Sequence, residues 1–360
     1  MKNYKENIDK IKPYEPGKPI EDVKRDLKLK KVIKLASNEN PLGPSKKAIA
    51  ALRLEAASVQ LYPDGGVYEL KRAIAKHHKV KPTEVIVGNG SNEIIEFLVK
   101  GFVSTGDRVV SSDITFLVYP LVTQTQGADY TPVAMRTFKY DVAGILKAID
   151  KRTKLIFIAN PNNPTGSYIS EKELAELIQK VPKDIIICID EAYVDFVNAP
   201  DFPKTLKYLK KNNVIILRTF SKAFGLAGLR LGYGLANERL IGYLHKIRQP
   251  FNVNTLAQKA GIAALADKAH LKQTQKVVIE GRCYFEKQFK DLGLFCVSSQ
   301  ANFVLVCVKT NSQRLFKDLL KRGIIVRDMV AYGMNEWIRV TVGTMAENRL
   351  FIKELKQVLK

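Results

Sequence analysis

In the stretch Thr219–Gly232, TFSKAFGLAGLRLG, a lysine stands directly after Ser221 and eight positions before Arg230. It follows the apolar run NVIILRTF, which places Lys222 just past the end of a strand. Desolvation and neighbouring cations at such a place lower the pKa of an amine, and a neutral amine can condense with an aldehyde. Thr219, Ser221 and Arg230 lie close enough in the loop to hold a phosphate through hydroxyl hydrogen bonds and a charge-assisted guanidinium contact. Three further strand ends carry polar clusters. In IIICIDEAYVDF, Asp190 and Tyr193 end a buried run, and a carboxylate there is costly unless it meets a cation, whether a ligand or a lysine of the chain. NPNNPTG, residues 160–166, is a turn that either only reverses the chain or also directs Asn163 into a cleft. GNGSNE, residues 88–93, opens a helix with Gly90, Ser91 and Asn92, as a structural turn or as a phosphate cradle; a dinucleotide fingerprint would need glycine at Glu93.

An aldehyde, a phosphate and a basic ring nitrogen together describe pyridoxal 5′-phosphate, and the chain supplies a partner for each. The elements that must position these groups follow from the hydropathy pattern. The runs EVIVGNG, DRVVSSD, KLIFIA, IIICID and NVIILRTFS alternate with helix-like segments, an α/β pattern. Runs so continuously apolar predict a mostly parallel sheet covered by helices on both faces, whose ligands bind beyond the carboxyl ends of the strands. From about residue 280 the pattern changes to a smaller α+β domain: ANFVLVCVKT, SQRLFKDLLKRG, WIRVTVG and a final helix through NRLFIKELKQVL. The expected organisation is an N-terminal arm over 1–45 that joins the small domain, a large domain over 46–255 and a small domain over 256–360.

A length of 360 residues with 46% apolar and 26% charged side chains suits a globular protein of two domains around a cleft. The net charge of +22 invites a nucleic-acid reading, but the lysines are interleaved with acids, as in EKELAELIQK, which marks solvated helix faces. The positive field instead helps to collect small anionic ligands. The N-terminal MKNYKENIDKIKPYEPGKP lacks the apolar centre of a signal peptide, and no run approaches membrane-spanning length, so a cytoplasmic protein is expected. Cys188, Cys283, Cys296 and Cys307 show no CxxC spacing and are expected to be buried thiols, neither disulfides nor metal ligands.

NPNNPTG, DEAY and TFSKAFGLAGLRLGY resemble the fold type I pyridoxal-phosphate aminotransferases over the whole chain. More narrowly, PYEPGKP near residue 16, LASNENPLGPS at 35–45, LYPDGG at 61–66 and IRVTVGT at 338–344 resemble the histidinol-phosphate aminotransferases. One departure is Ile114, where the family usually has proline before the Thr-aromatic pair; Phe116 still supplies the ring. The resemblance implies a seven-stranded, mostly parallel sheet between helices and a homodimer that uses pyridoxal 5′-phosphate. It further implies that Lys222 carries the cofactor and moves the proton, while Asp190 keeps the pyridine nitrogen protonated. Tyr193 and Asn163 would bond the ring oxygen, and Phe116 and Ala192 would pack on the ring faces. Gly90, Ser91, Asn92, Thr219, Ser221 and Arg230 would hold the phosphate, with Tyr62 added from the partner subunit. Arg339 would grip the acidic end of either substrate, with Tyr14 and Arg327 completing a phosphate pocket. The implied reaction moves an amino group between L-histidinol phosphate and 2-oxoglutarate, giving imidazole acetol phosphate and L-glutamate, in histidine biosynthesis. An aromatic amino acid aminotransferase and a threonine-phosphate decarboxylase share this architecture, and a non-catalytic regulator of the same fold would need a DNA-binding domain for which there is no spare length.

Overall fold

A computed structural model describes residues 6–11, 13, 17–211 and 213–360. The three most continuous apolar runs form neighbouring central strands, Thr153–Ala159, Ile186–Asp190 and Val214–Thr219. The full sheet has seven strands, in the order Val85–Asn89, Leu231–Ala236, Val214–Thr219, Ile186–Asp190, Thr153–Ala159, Arg108–Ser112, Asp129–Val133. Every pair is parallel except the two made by Leu231–Ala236, which runs against both of its neighbours. The sheet is therefore mostly parallel, as expected.

Both faces are covered. Ile156, Ile158, Ile187, Ile189 and Ile216 lie in one apolar core, whereas the alternate residues Leu155, Phe157, Ile186, Cys188, Ile215 and Leu217 lie in the other. That alternation explains why the middle of each run is apolar: each side chain there meets a helix layer on its own face. Pro132, which cannot donate to a ladder, stands in the edge strand Asp129–Val133.

The C-terminal part is built on a four-stranded antiparallel sheet, in the order Arg327–Met329, Met334–Thr341, Phe303–Cys307, Cys296–Val297. Its core includes Val304, Val306 and Ile338 of the sheet with Phe285, Phe289, Leu315, Phe351 and Leu355 of the helices Lys268–Asp291, Ser312–Lys321 and Met345–Val358. Ile33–Lys34 pairs in parallel with Ile324–Ile325, and Ile33 and Leu35 join this core. The helix Thr255–Leu265 packs the other way, with Ala257, Ala260, Ala264 and Leu265 in the core of the large sheet. Between the two parts, Tyr193, Phe196 and Ala223 of the large sheet's loops pack on Val278, Ala301 and Phe303.

All four cysteines are free thiols. Cys188 is buried, but Cys283 is exposed and Cys296 and Cys307 are only partly covered, which corrects the expectation of four buried thiols. Cys283 lies on the helix Lys268–Asp291, where neighbouring positions alternate between the core and solvent. No helix among the described residues is long and apolar enough to cross a membrane.

Candidate active site

The carboxyl ends of the parallel strands open onto one cleft between the two parts of the chain. Asp190 is the last residue of Ile186–Asp190, Thr219 the last of Val214–Thr219, and the NPNNPTG turn follows Thr153–Ala159. The cleft is lined by Ser91, Asn92, Phe116, Asn163, Asp190, Ala192, Tyr193, Thr219, Ser221, Lys222, Arg230, Arg327 and Arg339. Thirteen of the sequence-predicted residues are thus brought together. Gly90 stands beside them at φ +80, where a side chain would lie 2.7 Å from the Arg230 guanidinium. Tyr62 is not among the lining residues: it is 83% exposed and stacks on Phe251, ring centres 4.9 Å apart. Tyr14 lies outside the described residues.

Gly90 and Ser91 begin the helix Ser91–Phe102, so its first backbone N–H groups face the mouth of the cleft together with the Ser91 and Asn92 side chains. The loop sits hard against Gly232, where a Cβ would fall 2.2 Å from the Ser91 nitrogen. Opposite it, the backbone N–H of Ser221 donates to Thr219 Oγ1 at 3.1 Å, and Arg230 Nη1 donates to Ser221 Oγ at 3.4 Å. Arg230 occupies the left-handed region at φ +55, which closes the turn that carries Lys222. Hydroxyls, a guanidinium and a helix N-terminus in one concavity form an anion site.

Lys222 Nζ donates to the carbonyl of Ser37 at 3.1 Å and lies 5.6 Å from the centre of the Tyr193 ring. Burial, with Arg339 adding repulsion, brings its pKa down to about 7, so the amine is available in neutral form near neutral pH. Asp190 is 5% exposed; burial raises its pKa to about 6, opposed by a hydrogen bond from Tyr119 at 2.9 Å and one from the Ala192 N–H at 3.2 Å. Above that pH it is a buried anion, suited to a cationic partner. Tyr119 itself is fully buried and stacked on Phe157 at 4.4 Å with the rings 3° from parallel. Behind this carboxylate a second one, Glu191, is neutralised by Arg218 at 2.7 and 3.0 Å and by Thr205 at 2.6 Å, so it leaves the cleft to Asp190.

The other domain supplies two arginines. Arg327 and Arg339 are directly opposite each other on adjacent antiparallel strands, and both line the cleft. Arg339 donates to the side-chain carbonyl of Asn163 and to the Ala36 carbonyl at 2.8 Å, while its Nε is buried with no partner. Like charges on opposite residues repel, and an anion with several oxygens placed between them offsets that cost. The NPNNPTG turn that presents Asn163 contains cis peptide bonds at Asn160–Pro161 and Asn163–Pro164. At Ile114, the backbone N–H donates to Asp113 Oδ1 at 2.8 Å, a bond that proline could not make, and Thr115 Oγ1 bonds Tyr140 and Asn162 at 2.7 and 2.8 Å. Phe116 therefore reaches the cleft without the family's proline.

The donor set fits pyridoxal 5′-phosphate. The cup made by the helix start, Thr219, Ser221 and Arg230 suits its phosphate, the half-neutral Lys222 suits its aldehyde, and the buried Asp190 carboxylate suits a protonated ring nitrogen. Sequence reasoning missed Gly17, Ala36, Ser37 and Asn38, which also line the cleft, and Tyr119 behind Asp190. Their partners lie far away in sequence, and the segments that hold the first four, PYEPGKP and LASNENPLGPS, carry the family resemblance without pointing to a role for any of them. Among the described residues, no group of His, Cys, Asp and Glu could hold a metal ion.

The aminotransferase class I and II family matches residues 30–355. The histidinol-phosphate aminotransferase of Moorella thermoacetica is 46% identical over 357 residues, covering 99% of this chain and 92% of the relative. That of Anaeromyxobacter is 46% identical over 356 residues, covering 98% of each. The crystal structure of histidinol-phosphate aminotransferase from Sinorhizobium meliloti in complex with pyridoxal 5′-phosphate superposes with a TM-score of 0.92 at 28% identity, covering 100% of this chain and 98% of that one.

Proposed function

The chain belongs to the class I and II aminotransferases and has their pyridoxal-phosphate fold, and on that premise we propose that it exchanges an amino group between L-histidinol phosphate and 2-oxoglutarate in histidine biosynthesis. Its cofactor is pyridoxal 5′-phosphate, which when bound supplies an aldehyde to take up the amino group and an electron-withdrawing ring. Ser91, Asn92, Thr219, Ser221 and Arg230 would hold its phosphate. Asp190 holds a proton on the ring nitrogen, Tyr193 and Asn163 address the ring oxygen, and Phe116 and Ala192 confine the ring and keep water from its faces. Lys222, with a pKa near 7, would take the proton from the amino-bearing carbon of the substrate onto Nζ and give it back on the far side of the nitrogen, a 1,3 shift. The working unit is a cytoplasmic homodimer in which Tyr62 of the partner subunit completes the phosphate cup. The exposure of Tyr62, which does not line the cleft of its own chain, supports this.

The observation that carries the substrate assignment is the cross-strand pair Arg327 and Arg339. Histidinol phosphate has no carboxylate, so its phosphate must occupy the place where 2-oxoglutarate puts one. A guanidinium pairs bidentately with either group, but only a phosphate has a third oxygen and further charge for a second cation. Arg339 therefore serves both substrates, and Arg327, with Tyr14, serves the phosphate. A charge-assisted hydrogen bond contributes about 1.5 to 3 kcal/mol, so Arg327→Ala should lower kcat/KM for histidinol phosphate by about tenfold to a hundredfold. With phenylalanine as donor and 2-oxoglutarate as acceptor the loss should be much smaller. Equal losses on the two donors, or a wild type that prefers phenylalanine, would replace this assignment with an aromatic aminotransferase.

A further inference from the structure

Three successive residues, Ala36, Ser37 and Asn38, each touch a different group on which the proposed chemistry rests. The Ala36 carbonyl accepts from Arg339 at 2.8 Å, the Ser37 carbonyl accepts from Lys222 at 3.1 Å, and the Asn38 side-chain amide donates to the Tyr193 hydroxyl at 3.0 Å. By its backbone this stretch belongs to the smaller domain: Leu35 N–H donates to Ile325 at 2.7 Å and Thr341 N–H donates to Leu35 at 2.8 Å. Asn38 alone of the three acts through its side chain. It is 1% exposed and sits at φ +56, a left-handed conformation that asparagine accepts more readily than most residues.

The hydrogen bonds around Asn38 fix which end of its amide faces the tyrosine. Its backbone N–H donates to Thr341 Oγ1 at 2.9 Å, and the same hydroxyl donates to Asn38 Oδ1 at 3.0 Å. Asn302 Nδ2 donates to the Asn38 carbonyl at 3.0 Å. With Oδ1 engaged by the threonine hydrogen, Nδ2 is the end directed at Tyr193, and the phenol oxygen is an acceptor in that bond. The phenol's own hydrogen then goes to another acceptor, and Tyr193 lines the cleft. We propose that Asn38 is a positioning residue: by donating to the Tyr193 hydroxyl it turns that phenol into a hydrogen-bond donor toward the cofactor ring oxygen. Because Asn38 is held by Thr341 and Asn302, the donor strength of Tyr193 depends on the small domain being in place. The proposal rests on the reading of Tyr193 as the ring oxygen's partner.

The test uses the cofactor-loaded enzyme and reads the pH midpoint of its visible absorption change, which reports the charge on the ring oxygen and its conjugated nitrogen. Asn38→Asp keeps the size, the backbone conformation and the acceptor for Thr341, but presents an acceptor where the amide presented a donor. The carboxylate then draws the phenol's hydrogen to itself and the ring oxygen loses its donor. The midpoint should rise by about half to one pH unit, the size of one hydrogen bond. Asn38→Gly, which adds no charge and suits the left-handed backbone, should shift it in the same direction. Tyr193→Phe should raise the midpoint too, and Asn38→Gly added to Tyr193→Phe should move it no further. A shift in Tyr193→Phe with both Asn38 variants at the wild-type midpoint overturns the proposal, as does a full additive shift in the double variant. No shift in Tyr193→Phe itself overturns the ring-oxygen reading, and the proposal with it.

Discussion

Replacing Tyr119 by phenylalanine removes a single hydroxyl from a fully buried site and should change how the enzyme holds its cofactor across pH. The ring of Tyr119 stacks on Phe157 at 4.4 Å, and phenylalanine keeps that packing, so the loss is confined to the 2.9 Å bond from the hydroxyl to Asp190 Oδ2. That bond is the largest of the influences that oppose burial in setting the Asp190 pKa of about 6. A hydrogen bond to a charged group is worth about 1.5 to 3 kcal/mol, so its removal should raise the Asp190 pKa by about one to two units. Wild-type Asp190 is then ionised through neutral pH, whereas the variant's carboxyl is protonated over much of the window from about 6 to about 8. A protonated carboxyl cannot neutralise a pyridinium, so cofactor affinity falls in that window. The assay is binding of pyridoxamine 5′-phosphate to the two proteins, both carrying Lys222→Met so that the lysine does not titrate. Titration of the ligand itself is common to both and cancels in the ratio of dissociation constants. Above about pH 8 the ratio should be near one, rising to about tenfold or more as pH falls toward about 6, and then levelling. A ratio that is flat across this range would show that Tyr119 is only core packing.

The cofactor-free protein should itself be stabilised by Lys222→Met while transamination is lost. The folded-state pKa of Lys222, about 7, lies below its ordinary 10.5, so the native state holds fewer protons than the unfolded chain between those values. Stability therefore rises with pH across that window, and near neutrality the native lysine imposes a penalty, on the order of 1 to 3 kcal/mol after allowance for partial solvent contact. Thermal melts should place the variant several degrees above the parent near neutral pH and show the gap closing in strong alkali; a variant that melts lower at neutral pH, or a gap that ignores pH, would contradict the buried-amine account. Gly232→Ala should loosen the phosphate cup, because the new methyl would lie 2.2 Å from the Ser91 nitrogen and backbone rather than a flexible side chain must give way. Overpacking of this kind costs about 1 to 3 kcal/mol, and dialysis should strip the cofactor from the variant faster than from the parent; equal retention would mean that the helix start does not hold the phosphate.

What could be read in the sequence, and what could not, divides by the range of the interactions involved. Lys222 and Asp190 announce themselves because each breaks an apolar run at a strand end, and the cost of burying a charge there demands a purpose. The five strands with apolar runs were legible for a related reason: helices flank both faces, so polar residues such as Ser111, Ser112, Lys154 and Arg218 stand only toward the strand ends. Leu231–Ala236 carries two glycines, Gly232 because the Ser91 loop presses against it and Gly234 where Ile86, Ile215 and Leu217 crowd, so packing demands masked its strand signal. Asp129–Val133 is an edge strand with a proline and mixed burial, and its pattern is correspondingly weak. Within the site, Tyr119 stands only three residues beyond Phe116 yet meets a carboxylate 71 positions away, a contact that depends on how the strand Ile186–Asp190 is seated beside Thr153–Ala159.

The stretch Ala36–Asn38 marks where sequence reasoning runs out, for a definite physical reason. Ala36 and Ser37 engage Arg339 and Lys222 through their carbonyls, and every residue type has a carbonyl, so no side-chain pattern can report the contact. Asn38 does act by its side chain, but its partners Tyr193 and Thr341 are 155 and 303 positions away, and asparagine is equally at home in any turn. What makes it specific is the combination of a left-handed backbone, near-complete burial and an amide whose two ends face different domains. Each of those is a property of the assembled chain. Groups that meet the cofactor must be chemically distinctive and so stand out in the sequence, whereas groups that aim them need only a donor or acceptor at the right place. The same division explains why Asn38→Gly can leave the backbone at ease and still disturb a tyrosine in the other domain: the conformation it satisfies is local, and the bond it removes is not.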